Sequence, residues 1–162
     1  MKKHKHTFKI GLRDEITDFV TGATGVVISC ANHNTGCDTY EIAPKTIKDG
    51  VPADSYYLQE PRVVGGKSFS VEFAFETGAE VQDKIHGFKG VVTLRLAPLC
   101  GMNRYGLTKY SADKTPLAKD DRDFVYYDEC QLELVKSDVV KMSKADRPGG
   151  PGKNPGNPNL RP

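Results

Sequence analysis

Apolar and polar positions alternate through much of this chain, and the alternation predicts short β-strands. Phe8, Ile10 and Leu12 occupy every second position, the period of a strand with one buried face. Val26, Val27 and Ile28 are β-branched and predict a second strand, with Thr39 to Ile42 as its return and Pro44 as its stop. Ser55 to Gln59 and Arg62 to Val64 predict two more, divided by Pro61. The cleanest alternation runs from Phe69 through Val71 and Phe73 to Phe75. Further strands are expected up to Ile85, over Val91 to Leu96 and Tyr105 to Lys109, around Tyr126-Tyr127, and over Gln131 to Val135. Turn-forming residues separate them at Thr21 to Gly25, Asn32 to Gly36, Lys48 to Pro52, His86 to Gly90 and Pro98 to Asn103. No amphipathic helix is predicted.

The second half of this pattern repeats the first. EITDFVTGATGVVISCANHNTGCDTY, Glu15 to Tyr40, returns 65 positions later as EVQDKIHGFKGVVTLRLAPLCGMNRY, Glu80 to Tyr105. The shared frame is E-[IV]-x-D-x-[VI]-x-G-x-x-G-V-V, then G-x-x-x-Y, with no gap. Repetition at a fixed period outranks other signals for architecture. The chain is therefore expected to be all-β: two tandem small SH3-like barrels from an internal duplication, with flexible termini. Residues 1–7 form a basic leader, 8–66 the first module, 67–142 the second, and 143–162 a Pro/Gly-rich tail expected to be extended or disordered. The Tyr56-Tyr57-Leu58-Gln59 region matches the segment around Tyr126-Tyr127 after about five inserted residues.

Composition adds limits. The chain has 162 residues, so each copy has roughly 60 and is marginal alone. The copies must share a core or lean on a partner. Lys plus Arg numbers 23 against 21 Asp plus Glu, too balanced to demand nucleic acid on charge alone. No apolar run is long enough to span a membrane as a helix. The basic N-terminus lacks the apolar stretch of a secretory signal, which points to synthesis in a reducing cytosol.

Candidate chemistry is sparse. Gly22, Gly25, Gly87 and Gly90 recur, but no Lys-Ser/Thr follows them, so a phosphate loop is excluded and they are expected to be structural turn glycines. Cys30, Cys37, Cys100 and Cys130 lack zinc spacing. Cys30 and Cys37 flank a hairpin turn, within possible disulfide range, while Cys100 and Cys130 are expected to be packing residues. His33 and His86 sit in turns beside no recognisable nucleophile motif. Asp18 and Asp83 recur and are expected to accept hydrogen bonds within their own turns. No catalytic residue, metal site or cofactor is expected. Tyrosines are the informative residues. In Tyr56-Tyr57 and Tyr126-Tyr127 one ring of each pair should face the core and the other a partner.

The frames D-x-[IV]-x-G-x-x-G-V-V, Gly36-Cys37-Asp38-Thr39-Tyr40, and Tyr126 to Val135 resemble a group of small tailed-bacteriophage proteins. The likeness covers residues about 10 to 136. It departs where Met102 replaces Cys37, and where Leu58-Gln59 stands against Asp128-Glu129. It implies a virion component, such as a capsid decoration or cement protein bridging neighbouring subunits, with the major capsid protein, other virion proteins or a second copy as partner. Tyr57, Tyr127, Phe69, Phe73, Pro148, Pro151, Pro155 and Pro158 are the expected interface residues. Val20-x-Gly22-x-x-Gly25-Val26-Val27 also resembles KOW-type barrels, which implies the alternative of a nucleic-acid-binding protein of KOW or Tudor-like type.

Overall fold

The computed structural model describes residues 2–34, 36–109 and 125–140. The third loop of the second copy (residues 111–123) and the tail prolines Pro148, Pro151, Pro155 and Pro158 lie outside the described residues.

Copy one contributes strands β1 (His4–Phe8), β2 (Glu15–Asp18), β3 (Thr24–His33), β4 (Asp38–Pro44), β5 (Ile47–Lys48), β6 (Val51–Pro52), β7 (Tyr56–Gln59) and β8 (Val63–Gly65). Copy two contributes β9 (Phe69–Phe73), β10 (Glu80–Asp83), β11 (Lys89–Pro98), β12 (Arg104–Thr108), β13 (Val125–Asp128) and β14 (Leu132–Lys136). Single 3-10 turns, Glu60–Arg62 and Glu129–Gln131, separate β7 from β8 and β13 from β14. The chain is all-β, as the alternation predicts, and among the described residues no sheet closes on itself. Among the described residues no helix is long and apolar enough to cross a membrane.

Within each copy the strand order is the same. Copy one runs β8-β2-β3-β4-β7, and copy two runs β14-β10-β11-β12-β13. All these pairs are antiparallel. The copies are joined into one ten-stranded sheet where the C-terminal half of β3 pairs with that of β11. In that ladder Ala31 faces Leu96, two residues 65 positions apart, the offset of the repeat. In the separate β1–β9 ribbon His6 faces Val71, again 65 apart. Each of these residues meets its own counterpart, so a near-two-fold axis runs through both pairs.

The core straddles that axis. Phe8 and Ile10 from copy one, and Phe73 and Phe75 from copy two, are buried between the ribbon and the large sheet with Tyr40 and Tyr105. Phe8 meets Tyr40 edge-on at 6.3 Å, and Phe73 meets Tyr105 edge-on at 6.2 Å. One cluster holds residues of both copies, which answers the size problem posed by each repeat. Each fully buried Phe stabilises by about 1.5–3 kcal/mol.

Three expectations change. The basic leader is, from His4 onward, strand β1. Its inward positions are the half-buried His4 and His6 ahead of buried Phe8, and imidazoles do not register in an apolar count. Phe69 and Phe73, expected in the shared core or in strand addition to a neighbour, pack their rings on the internal core, with β9 paired to β1. Gly25 and Gly90 are not turn residues; they lie in β3 and β11. A Cβ at Gly25 would stand 2.5 Å from Ile42 Cγ2 and 2.7 Å from the Ala43 oxygen, so glycine is needed for close strand approach. Of the four recurring glycines, Gly22 and Gly87 hold the positive φ (72° and 73°) of a turn. The Lys48–Pro52 loop carries a small hairpin, β5–β6, around Asp49 and Gly50, both at positive φ, as a tight two-residue turn requires.

Candidate functional site

The 3-10 turns fix the correspondence between copies after the insertion. Glu60 matches Glu129, an offset of 69 against 65 upstream, so four residues are inserted. Tyr57 therefore corresponds to Tyr126, Leu58 to Tyr127 and Glu60 to Glu129. This moves the expected pairing of Tyr57 with Tyr127 by one residue. Tyr127 is half-buried, its ring stacked on Phe88 at 6.1 Å. Tyr56 likewise packs against the core. The outward rings are Tyr57, 69% exposed, and Tyr126, 46% exposed. One ring in and one out is what two successive strand residues must do.

Tyr57 stands opposite Glu41 in the β4–β7 ladder. Its pKa is raised, first by burial of the hydroxyl, then by the charges of Glu41 and Tyr126. The two repeat-related tyrosines are thus close enough to feel each other's charge. Arg104, on β12, lies 5.9 Å over the Tyr126 ring and is paired with Asp128 at 3.0 Å. The face so formed has two aromatic rings, one from each repeat, with charged groups beside them.

Two further apolar positions recur on the surface. Val20 and Ile85, 65 apart, are 67% and 66% exposed at the turn after β2 and after β10, with Phe19 beside Val20. The sequence pattern places them at strand ends. The recurrence itself was the available signal, because an apolar residue retained at a turn tip in both copies is not serving a core.

The recurring aspartates serve these turns. Asp18 accepts from the Val20 amide at 3.1 Å and the Thr21 hydroxyl at 2.6 Å, and pairs with Arg62 through two bonds of 3.1 and 2.5 Å. The Arg62 and Thr21 bonds hold its carboxyl well below the usual range. Asp83 accepts from the Ile85 and His86 amides and from the His86 ring. Burial pushes Asp83 up, but these donors outweigh it and leave it low.

A third polar group braces the second copy. The Tyr105 hydroxyl donates to Glu129 Oε2 at 2.6 Å and accepts from the Ala74 amide at 2.9 Å. Burial, then the Glu129 bond, raises the Tyr105 pKa. Its counterpart, the Tyr40 hydroxyl, is buried without a hydrogen bond of good geometry.

The fourth group lies under β1. His6 Nε2 contacts both Asp38 oxygens, at 3.1 and 3.0 Å; Asn32 donates to Asp38 Oδ1 at 2.9 Å. Arg95 then donates to Asn32 Oδ1 from Nε at 3.2 Å and Nη2 at 2.7 Å. His4 meets Glu76 at 2.6 Å nearby. Among the described residues no group of three metal-ligating side chains converges. The four cysteines are free, with Cys100 and Cys130 exposed rather than packed. Comparison with known proteins returned no match: no family model fits the chain, and neither a curated protein nor a solved structure is significantly similar to it.

Proposed function

We propose that this chain is a non-enzymatic structural accessory protein of a tailed-phage particle, a capsid decoration or cement protein that bridges neighbouring virion subunits. We read each repeat as a half-open SH3-like barrel. The order β8-β2-β3-β4-β7, with a single 3-10 turn between its last two strands in sequence, supports that plan. The observation that carries the functional reading is the paired presentation of Tyr57 and Tyr126, one from each repeat. Exposed tyrosine beside charge is the composition of interface hot spots. A surface built twice around one axis suits two equivalent neighbours, which is the geometry of bridging. The virion assignment rests on the sequence resemblance, with the major capsid protein as the favoured partner.

The same rings, with Arg104 over one of them, favour a second reading, stacking on bases of single-stranded nucleic acid. One experiment separates the two. The purified chain is co-sedimented with phage capsids while a nucleic-acid gel shift is run alongside. Capsid binding that is lost in a Tyr57→Ser/Tyr126→Ser double variant of unchanged stability is the expected result. A salt-sensitive gel shift without capsid binding would replace the bridging reading with the nucleic-acid one.

A further inference from the structure

Arg95 is a buried cation without an anion. It projects inward from β11 and is 7% exposed, its guanidinium 4.8 Å over the Phe73 ring. Among the described residues its bonds run only to the amide oxygen of Asn32. Among the described residues no carboxylate lies within ion-pair distance of it. Burial pulls its pKa down against the charges of Tyr105, Glu76 and Asp38. A guanidinium has five N–H donors, and Asn32 engages two, leaving the Nη1 edge open. An unpaired buried charge is costly, so such an edge marks a place for a counter-ion.

Arg95 lines a cleft of about 340 Å³ between β1 and the Glu76 turn, together with Lys2, Lys3, His4, Lys5, Glu76 and Thr77. Lys3 reaches Glu72 at 3.5 Å, and His4 holds Glu76. Lys2 and Lys5 have no carboxylate partner among the described residues. Four of the lining residues are cations (Arg95, Lys2, Lys3, Lys5) and one is a carboxylate (Glu76), with Glu72 beside them on Lys3, so the cleft carries an excess of positive charge. A polyanionic strand would have to pass Glu72 and Glu76, which repel it.

We propose that this cleft binds a carboxylate supplied by an Asp or Glu side chain of a partner protein, with the open Nη edge of Arg95 as its anchor. Arg95 is posed for that role by the chain His6–Asp38–Asn32, each member of which fixes the next. The guanidinium plane suits a carboxylate, and Lys2 and Lys5 line the same cleft. The inference deepens the bridging reading by naming the partner's chemistry, and it rests on that reading only for where the carboxylate comes from.

The test is an NMR titration of the full chain with sodium acetate and with a hexaglutamate peptide, following the Arg95 Nε–Hε resonance, with sodium chloride as the ionic-strength control. A saturable shift with both, tighter for the peptide by about tenfold or more, is expected. Lys5→Gln, an exposed rim change, should weaken the peptide several-fold at an unchanged unfolding midpoint, and Arg95→Gln should abolish the shifts of the Lys3, Lys5 and Glu76 backbone amides, followed in the same spectra. Should Arg95→Gln fail to fold, Lys5→Gln carries the test. An Arg95 resonance that moves no further with acetate or peptide than with chloride would overturn the site. Tighter displacement by inorganic phosphate or an oligothymidylate would overturn the carboxylate assignment. Saturable peptide binding by a chain that fails to sediment with capsids would uphold the site and count against the capsid partner alone.

Discussion

Tyr105 and Tyr40 occupy the same place in the two repeats, yet their hydroxyls do different work. Tyr105 bridges the Ala74 amide to Glu129, whereas the Tyr40 hydroxyl is buried without a good bond. Tyr105→Phe should therefore cost about 0.5–1.5 kcal/mol in urea unfolding, since it removes the short bond to Glu129 and leaves the Ala74 amide and that carboxylate with only their longer bonds of 3.3 Å. Tyr40→Phe should be neutral or mildly stabilising. Equal losses at both sites would contradict this difference. Asp18 gives a pH effect of definite sign. Its folded pKa lies below the value of about 3.9 it has when unfolded. Its contribution is thus complete above that value and fades as pH falls toward the folded pKa. Thermal midpoints should fall from pH 5 to pH 2. Arg62→Met should lower the midpoint at pH 7 and flatten the acid slope, because the guanidinium is the largest cause of the low pKa.

Strands differ in how plainly their sequence announces them. β3 and β11 were legible because Val26-Val27 and Val91-Val92 leave little choice of conformation. β1 was not, because the imidazoles of His4 and His6 fill its inward positions and count as polar. The register of β13 was misread by one residue, because Tyr-Tyr recurs but the insertion has no marker in sequence. The 3-10 turn that fixes it is visible only in three dimensions. The Arg95 cluster was illegible for the same reason, since its members stand at positions 6, 32, 38 and 95 and meet across four strands. Glycines in β3 and β11 gave a correct requirement with the wrong cause. Gly25→Ala should cost about 1–3 kcal/mol from crowding Ile42 and Ala43. Gly22→Ala strains only the backbone, as a Cβ there meets nothing within 4 Å. Denaturant midpoints of the two variants compare steric and conformational cost directly.

At the scale of the whole chain, the duplication was plain in sequence but its outcome was not. No local signal says that the end of β3 will pair with the end of β11, or β1 with β9. These ladders make one cooperative unit of two repeats. Heating should give a single transition with equal calorimetric and van't Hoff enthalpies. Phe8→Ala, worth about 3–5 kcal/mol, should lower amide protection in β3 and β11 together, although Phe8 belongs to copy one. Loss confined to copy one would mean two independent domains.

The linker between repeats is only the stretch from Gly66 to Ser68, between β8 and β9. Every contact that holds the halves together is non-covalent and runs across the axis. The bonds of β1 to β9 and β3 to β11 would survive a cut at Lys67. The halves are thus a ready-made pair for fragment complementation: expressed as separate peptides, they should find each other and restore one fold, and either could be exchanged for a second copy of its sibling.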